Sequence, residues 1–420
     1  MNAAIATAAT AEPATLQVHP PGESGWLPPA EVAALTPEGV RERLRALQPL
    51  ITAHALESER LGYTHPRVWD AIRATGFFYH FVPKRFGGCE FGPEDFFRTS
   101  RVIAEACAST AWAATFLVEH NWVAALYPES AQQQFFAGGR YILAPAVSTP
   151  PGRATPVPGG YRVSARWKYG SGVMHSNWCM GQALIEGESP PAIGWVAFPL
   201  AEARVLDTWQ VQGLLATGSN DIVVQDLFVP EHLMVRSSDL QNGTTPGAGL
   251  HANPVYRMPS SAFLGLVTSA PAIGAARGTV NIFRERLKTR KVLGTQVVLA
   301  EKANMQVMLA TAELMVRTAE LVFESCAADV HELARRNRST DIAARMEIVA
   351  RNTHAAHMAR DAVRLMVDHS GSSVHHLSDP LQRMLRDATV ACSHVIQDDQ
   401  VLAEQYGRSL LGLPQITSIC

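Results

Sequence analysis

Two stretches in the last third of this 420-residue chain limit what it can become. EKANMQVMLATAELMVRTAELVFESCAADVHELARR (301–336) and DIAARMEIVARNTHAAHMARDAVRLMVDHS (341–370) each keep apolar residues at helical spacing for about thirty residues or more. Helices of that length bury their stripes by packing against one another, so residues 258–420 read as a helical bundle. Several of these helices are apolar on more than one face, which favours an oligomer with helices packed across interfaces. The longest uncharged window, Met258 to Ala276, contains Pro259, Pro271 and several Ser, Thr and Gly. It reads as a buried helix rather than a membrane span.

Two other regimes precede the bundle. Residues 35–140 are helical in pattern. TPEGVRERLRALQPLITAHALESERLG places Thr36 as an N-cap and Pro37 at the first helical position. GPEDFFRTSRVIAEACASTAWAATFLVEHNWVAAL repeats the device with Pro93, and its later part is apolar enough to be buried on most sides. Residues 141–257 hold short β-branched and aromatic runs (YILAPAV, GGYRVSARWKYGSG, NWCMGQALIEG, AIGWVAFPL, SNDIVVQDLFVP) separated by Gly, Pro, Asn and Asp. They predict an antiparallel meander or barrel. Residues 1–34, small, polar and proline-containing, predict a disordered tail. The fold class is α+β: an N-terminal helical domain, a central β-barrel domain and a C-terminal four-helix bundle.

The formal charge of −2 leaves no electrostatic footprint for nucleic acid. The basic run RERLKTRK (284–291) is either a solvated helix face or a site for an anionic group. None of the six cysteines has metal-ligand or redox spacing, which predicts reduced thiols in a cytoplasmic protein. The first 40 residues lack Lys and Arg, which argues against a secretory signal. His354 and His357 lie three apart on a helix without a third ligand at companion spacing, so no metal is expected.

The order of the blocks, helices, then strands, then long helices, resembles the acyl-CoA dehydrogenase fold. RFGG (85–88) closes the second helical block, and GGYRVSARWKYGSG resembles a hairpin of that superfamily. DTWQVQGLLATGSNDIVVQDLFVP (207–230) resembles its W…G…GTGS signature, and GAARG (274–278) opens the bundle. DPLQRMLRDATVACSHVIQDD (379–399) resembles its last core helix, with Arg383, Arg386 and Asp387 in the R..RD element. Each piece is weak alone; their order and spacing make the set specific. Acyl-CoA dehydrogenases carry a catalytic Glu in one of two places. Here one place holds His394, and the other, Met258 to Val280, has no carboxylate.

His in place of Glu is similar to the two-component flavin monooxygenases, among them the oxygenase components of 4-hydroxyphenylacetate hydroxylase and dibenzothiophene monooxygenase. The resemblance implies an oxygenase component that receives reduced FMN or FAD from a separate NAD(P)H-dependent flavin reductase. With O2 such enzymes form a C4a-hydroperoxyflavin and hydroxylate a phenolic or other electron-rich aromatic substrate, without a metal, as homotetramers. Relatives also oxygenate nitrogen or sulfur. The alternatives are an acyl-CoA dehydrogenase- or nitroalkane-oxidase-like flavoprotein with an unrecognised base, and a non-catalytic protein that kept only the fold.

The same resemblance implies roles for single residues. Ser171 faces flavin N5, or is an ordinary hairpin-turn serine; Gly170 and Gly172 let the backbone approach the ring. Trp167 walls the flavin or fills the β-core, and for Trp178 the core is the better assignment. Ser148 contacts flavin or substrate, or sits in a turn. Gly371, Ser372 and Ser373 offer donors to a flavin phosphate, or Gly371 caps a helix. Arg277, Arg284, Arg286 and Arg290 are equal candidates for that phosphate. His120 and Trp112 reach the substrate or belong to the core, and His175 contacts a ligand or lies at the surface. His394 is the expected base. A phenol titrates near ~10, so ionising it at pH 7 costs about 4 kcal/mol, and a neutral imidazole is a suitable acceptor. Asp398, at i+4 on the same helix face, orients His394 or is its surface partner.

Overall fold

The computed structural model describes residues 13–22 and 25–416. Proline at the first helical positions opens α1 (Pro29–Ala33), α2 (Pro37–Leu61), α3 (Pro66–Arg73) and α4 (Pro93–Ala106). Thr36 caps α2 as expected, its hydroxyl accepting from the Gly39 N–H at 3.1 Å. The long apolar run after Pro93 is broken by Cys107, whose extended backbone (φ −158°, ψ 112°) separates α4 from α5 (Ala108–Ala124). Every residue of α5 except Phe116 is buried. α6 (Glu129–Phe136) leads to the sheet.

Seven strands follow: β1 (Ala146–Val157), β2 (Gly160–Gly170), β3 (Trp178–Ile185), β4 (Ala192–Pro199), β5 (Arg204–Leu206), β6 (Asn220–Pro230) and β7 (Met234–Arg236). They form one sheet in the order β5-β6-β2-β1-β3-β4-β7, antiparallel except between β1 and β3. The sheet is open, not the closed barrel expected. Its end strands, β5 and β7, are three residues each, too short to close a ladder. The outer edge of β5 is also taken. The Leu16 N–H donates to the Val205 carbonyl and the Asp207 N–H to the Ala14 carbonyl, both at 2.8 Å. The expected disordered tail is therefore corrected in its described part. Leu16 and Val18 pack on the core, the His19 N–H donates to Met174, and residues 29–33 are helical. Residues 1–12 and 23–24 of that tail lie outside the described residues.

Strand periodicity decides the place of Trp167. Val163 and Trp167 are buried while Arg162, Ser164, Arg166 and Lys168 are exposed, the period of two that a half-buried strand gives. Trp167 stacks on Phe198 (5.8 Å, 21°) and donates its indole N–H to Gln182 O at 2.8 Å. A Cβ on Gly181 would lie 2.4 Å from that indole. Trp167 belongs to the β-core and is not a flavin wall.

After the sheet come α7 (Ser237–Asn242), α8 (Ser260–Thr289), α9 (Ala303–Arg335), α10 (Ile342–Asp368), α11 (Pro380–Ala391) and α12 (Asp399–Leu410). α8, α9 and α10 pack against one another, α11 lies on α8 and α10, and α12 lies on α10. α8 also crosses α4 and α5. Gly278 makes the α4 crossing possible, since a Cβ there would lie 2.2 Å from Glu105 O. The uncharged window expected as a buried helix is the buried first half of α8. Among the described residues, no helix is long and apolar enough to cross a membrane.

Two histidines are locked into this frame. His80 donates through Nε2 to Gly92 O at 3.0 Å, and burial pushes its pKa down to about 4. His175 stacks on Trp69 (4.3 Å, 10°) and its Nε2 donates to Thr64 O at 2.9 Å; burial pushes it down to about 3. His175 is thus neither a surface residue nor free to meet a ligand.

Candidate active site

β2 ends in the turn that carries Ser171. Gly172 holds the turn in the left-handed region (φ 76°), with its N–H on Thr217 O at 2.9 Å. Both turn glycines are explained by protein neighbours. A Cβ on Gly170 would lie 2.9 Å from Asn220 O on β6, and one on Gly172 would lie 2.8 Å from Leu117 on α5. They bring strand, turn and helix together.

That close approach sets Ser171 beside α5. The Trp112 indole N–H donates to Ser171 Oγ at 3.0 Å. Trp112, Phe116 and His120 follow at four-residue spacing, so they share one face of α5. Trp112 stacks on Phe116 (4.8 Å, 24°), and His120 meets the Phe116 edge at 5.9 Å. His394 closes the group, 5.7 Å from Trp112 and 6.5 Å from Phe116 between ring centroids. Ser171, Trp112, His120 and His394 were expected together and the fold unites them. Trp112 and Leu214 also form a small apolar cluster with Ala272, Ala356, Ala388, Ala391 and Cys392, apart from the main core.

Hydrogen-bond partners fix the state of both histidines. His120 Nδ1 lies 2.6 Å from Ala144 O. A carbonyl only accepts, so Nδ1 carries the proton and Nε2 the lone pair. His394 Nδ1 accepts from the Ile396 N–H at 3.3 Å, so its proton sits on Nε2. Burial pushes each pKa down to about 4, leaving both neutral at pH 7. The site holds one imidazole as acceptor and one as donor.

The expected pairing of Asp398 with His394 does not form. α11 stops at Ala391, and both residues become caps: His394 of the turn Val395–Gln397, Asp398 of α12, where its carboxylate accepts from the Val401 N–H at 3.0 Å. Without a continuous helix the i+4 spacing has no meaning, and no hydrogen bond or ion pair joins the two among the described residues. Ser148 is exposed on β1, beside the register shift between Val147 and Gly152. Trp178 is half-buried, edge-on to Phe135 at 4.9 Å, as its core assignment requires. His357 donates from Nε2 to Gln397 O at 2.9 Å.

The structure separates the four arginines. Arg277 is paired with Glu313 and Glu320, Arg286 with Asp379, and Arg284 with Glu285. Arg290 instead donates to the Ser370 carbonyl and, at 2.7 Å, to Ser373 Oγ, with no carboxylate partner among the described residues. Gly371 has φ 74°, and Ser372 and Ser373 are exposed beside that guanidinium. Among the described residues, no hydrogen bond joins this loop to Ser171 or His394.

Asp387 carries a role that sequence reasoning missed. Its buried carboxyl accepts from Ser109 Oγ at 2.9 Å and from the Leu214 N–H at 2.7 Å, tying α11 to the start of α5 and to Leu214. Leu214 is held at φ 56°, a conformation costly for a branched residue. Burial raises the Asp387 pKa. Asp387→Ala would orphan both donors, at about 1–3 kcal/mol each. Urea denaturation should therefore show a loss of about 2–6 kcal/mol; a loss within ~0.5 kcal/mol, the range of ordinary surface substitutions, would remove Asp387 from this role.

Residues 266–399 match the family "Acyl-CoA dehydrogenase, C-terminal domain". The chain is 30% identical over 380 residues to the oxygenase subunit of a flavin-dependent monooxygenase from Rhodococcus jostii (strain RHA1), covering 89% of this chain and 98% of that one. It is 28% identical over 382 residues to the oxygenase component of an FADH2-dependent resorcinol hydroxylase from Rhizobium sp. (strain MTP-10005), covering 88% and 93%. The crystal structure of a 3-HSA hydroxylase from Rhodococcus sp. RHA1 superposes with a TM-score of 0.86 at 29% identity, covering 91% of this chain and 99% of that one.

Proposed function

Since this chain belongs to the oxygenase subunits of flavin-dependent monooxygenases, on the acyl-CoA dehydrogenase fold, we propose that it hydroxylates a small phenolic or other electron-rich aromatic substrate, using reduced FMN or FAD and O2. The observation that carries the reading is the pair of neutral imidazoles, one acceptor and one donor, around the Trp112–Phe116 faces and next to Ser171.

The residues present fit a reduced flavin. Ser171 is half-exposed, with an oxygen lone pair left for an N–H, and Trp112 and Phe116 offer aromatic faces. Arg290 and Ser373 would hold a phosphate. The flavin supplies the electrons and the position at which O2 is activated. His120 takes the role of base that the sequence suggested for His394, because its lone pair is the one available. As the phenol proton moves to Nε2, the Nδ1–H bond to Ala144 O steadies the imidazolium, and the nearby phenolate raises the basicity that burial has lowered. His394, with its proton on Nε2, hydrogen-bonds an acceptor atom and orients it.

The finer parts of the reading have their own support. The chain divides at residues 140 and 257 into a helical domain, a β domain and a four-helix bundle. A homotetramer is supported by α9, where Val307, Leu314 and Leu321 are exposed at seven-residue spacing, an apolar stripe one chain leaves uncovered. In that assembly the Arg290–Ser373 loop reaches a neighbour's flavin. A separate NAD(P)H-dependent reductase supplies the reduced flavin, and no metal takes part. Cys89, Cys107, Cys179, Cys326 and Cys392 are unpaired and buried, which supports a cytoplasmic setting.

The test is anaerobic loading with reduced FMN or FAD, rapid mixing with O2, and analysis of a phenol and indole panel. Hydroxylated product in step with the reduced flavin supplied is the expected result. Tightly held oxidised FAD with turnover of an acyl-CoA or a nitroalkane would overturn the reading.

A further inference from the structure

The Ser171 hydroxyl stands at the end of a relay. Its Oγ lies 2.8 Å from Ser219 Oγ, which lies 2.6 Å from Thr217 Oγ1, which lies 2.8 Å from the Leu214 carbonyl. That is three oxygen–oxygen contacts and three hydroxyl protons. So short a contact is repulsive without a proton in it, so each contact takes one. The carbonyl has none to give, so Thr217 supplies the first, Ser219 the second and Ser171 the third. Thr217 and Ser219 are buried, which keeps water from breaking the sequence. Ser171 has then spent its own proton. One lone pair takes the Trp112 N–H, and the other remains on its half-exposed side.

We propose that Leu214, Thr217 and Ser219 fix Ser171 as a hydrogen-bond acceptor, and that this makes the site select reduced over oxidised flavin. The inference rests on the reading above, in which Ser171 meets flavin N5. Reduced flavin carries a proton on N5 and oxidised flavin presents a lone pair there. An acceptor matches the first and opposes the second. An oxygenase that draws its flavin from solution meets both forms, and the relay supplies the discrimination without touching the ligand. Thr217 and Ser219 are positioning residues.

The experiment is anaerobic binding of FMN and FAD, each oxidised and dithionite-reduced, to the full chain and four variants. Thr217→Val removes the acceptor for the Ser219 proton, so Ser219 turns to donate to Ser171 and the Ser171 proton is released toward N5. The ratio of oxidised to reduced affinity should rise about tenfold, equal to about 1.4 kcal/mol. Ser219→Ala should move the ratio in the same direction, and Thr217→Ser, which keeps the relay, should leave it at the wild-type value. If Ser171→Ala shifts the ratio while Thr217→Val and Ser219→Ala do not, the relay is overturned and the flavin reading stands. If Ser171→Ala leaves every dissociation constant unchanged, Ser171 is not at N5 and both fall.

Discussion

His120→Asn is expected to lower kcat for a phenolic substrate by about 100- to 10,000-fold, the usual yield of a positioned base, with reduced-flavin binding unchanged. Asn keeps a donor for Ala144 O, so that bond survives while basicity is lost. Its amide cannot hold the proton that makes the ring electron-rich. The loss should shrink for an indole or thiophene substrate, which has no phenolic proton to move. His394→Gln is the comparison: it removes the ring acceptor of the Ile396 N–H while its amide keeps a donor to the site, and it removes no available base. Single-turnover rates on matched phenol and indole substrates separate the two residues. A larger loss for His394→Gln than for His120→Asn, confined to phenols, would return the base to His394.

Mild acid should unfold this protein. His80, His120 and His394 have folded-state pKa values of about 4 and His175 of about 3, against about 6.5 in an unfolded chain. Above pH 6.5 all four are neutral in both states and cost nothing. As pH falls from there toward 4, the unfolded chain takes up protons that the folded one refuses. Each histidine then removes about 1.4 kcal/mol per pH unit. Glu119 works the other way: burial holds its carboxyl well above the ordinary range, so the folded chain is the better proton binder there. Buried Glu105 and Asp387, whose pKa values are also raised, oppose the fall in the same way, and His251 adds to it, so the histidines set the direction against a typical total stability of ~5–15 kcal/mol. Urea midpoints should fall steeply from pH 6.5 to 5, and His80→Gln and His175→Gln should each flatten the slope. A flat profile over that range would show that these rings exchange protons with solvent in the folded state.

The elements legible in the sequence were those marked by local chemistry. Thr36, Pro37 and Pro93 announce helix starts because a cap and a fixed φ act within one turn. The β region was legible from its turn residues, but closure was not, because it depends on how long β5 and β7 are and on what covers β5. For Trp167 the sequence leaves flavin wall and β-core open, although its alternation with Arg166 and Lys168 already points it inward. The stretch after Ala391 misled more deeply. ATVACSHVIQDDQV has no Gly or Pro to mark a stop, and only the polar caps His394 and Asp398 betray one. The arginines were indistinguishable in sequence because their carboxylate partners, Glu313, Glu320 and Asp379, are remote or cross a loop. Phe116 and Asp387 were readable in principle, the first from its spacing between Trp112 and His120, the second from its place in the R..RD element.

Residues 14–16, laid along β5, have a consequence for handling the protein. A bare terminal strand is a template on which another chain's backbone can add, and proteins guard such edges against association. Here the guard is a few residues of extended backbone with two hydrogen bonds and one apolar anchor, Leu16. Trimming the chain to Val18, at a point that looks dispensable, would strip that guard and leave the amide of Asp207 and the carbonyl of Val205 as open pairing points, inviting aggregation in a protein whose active site is intact.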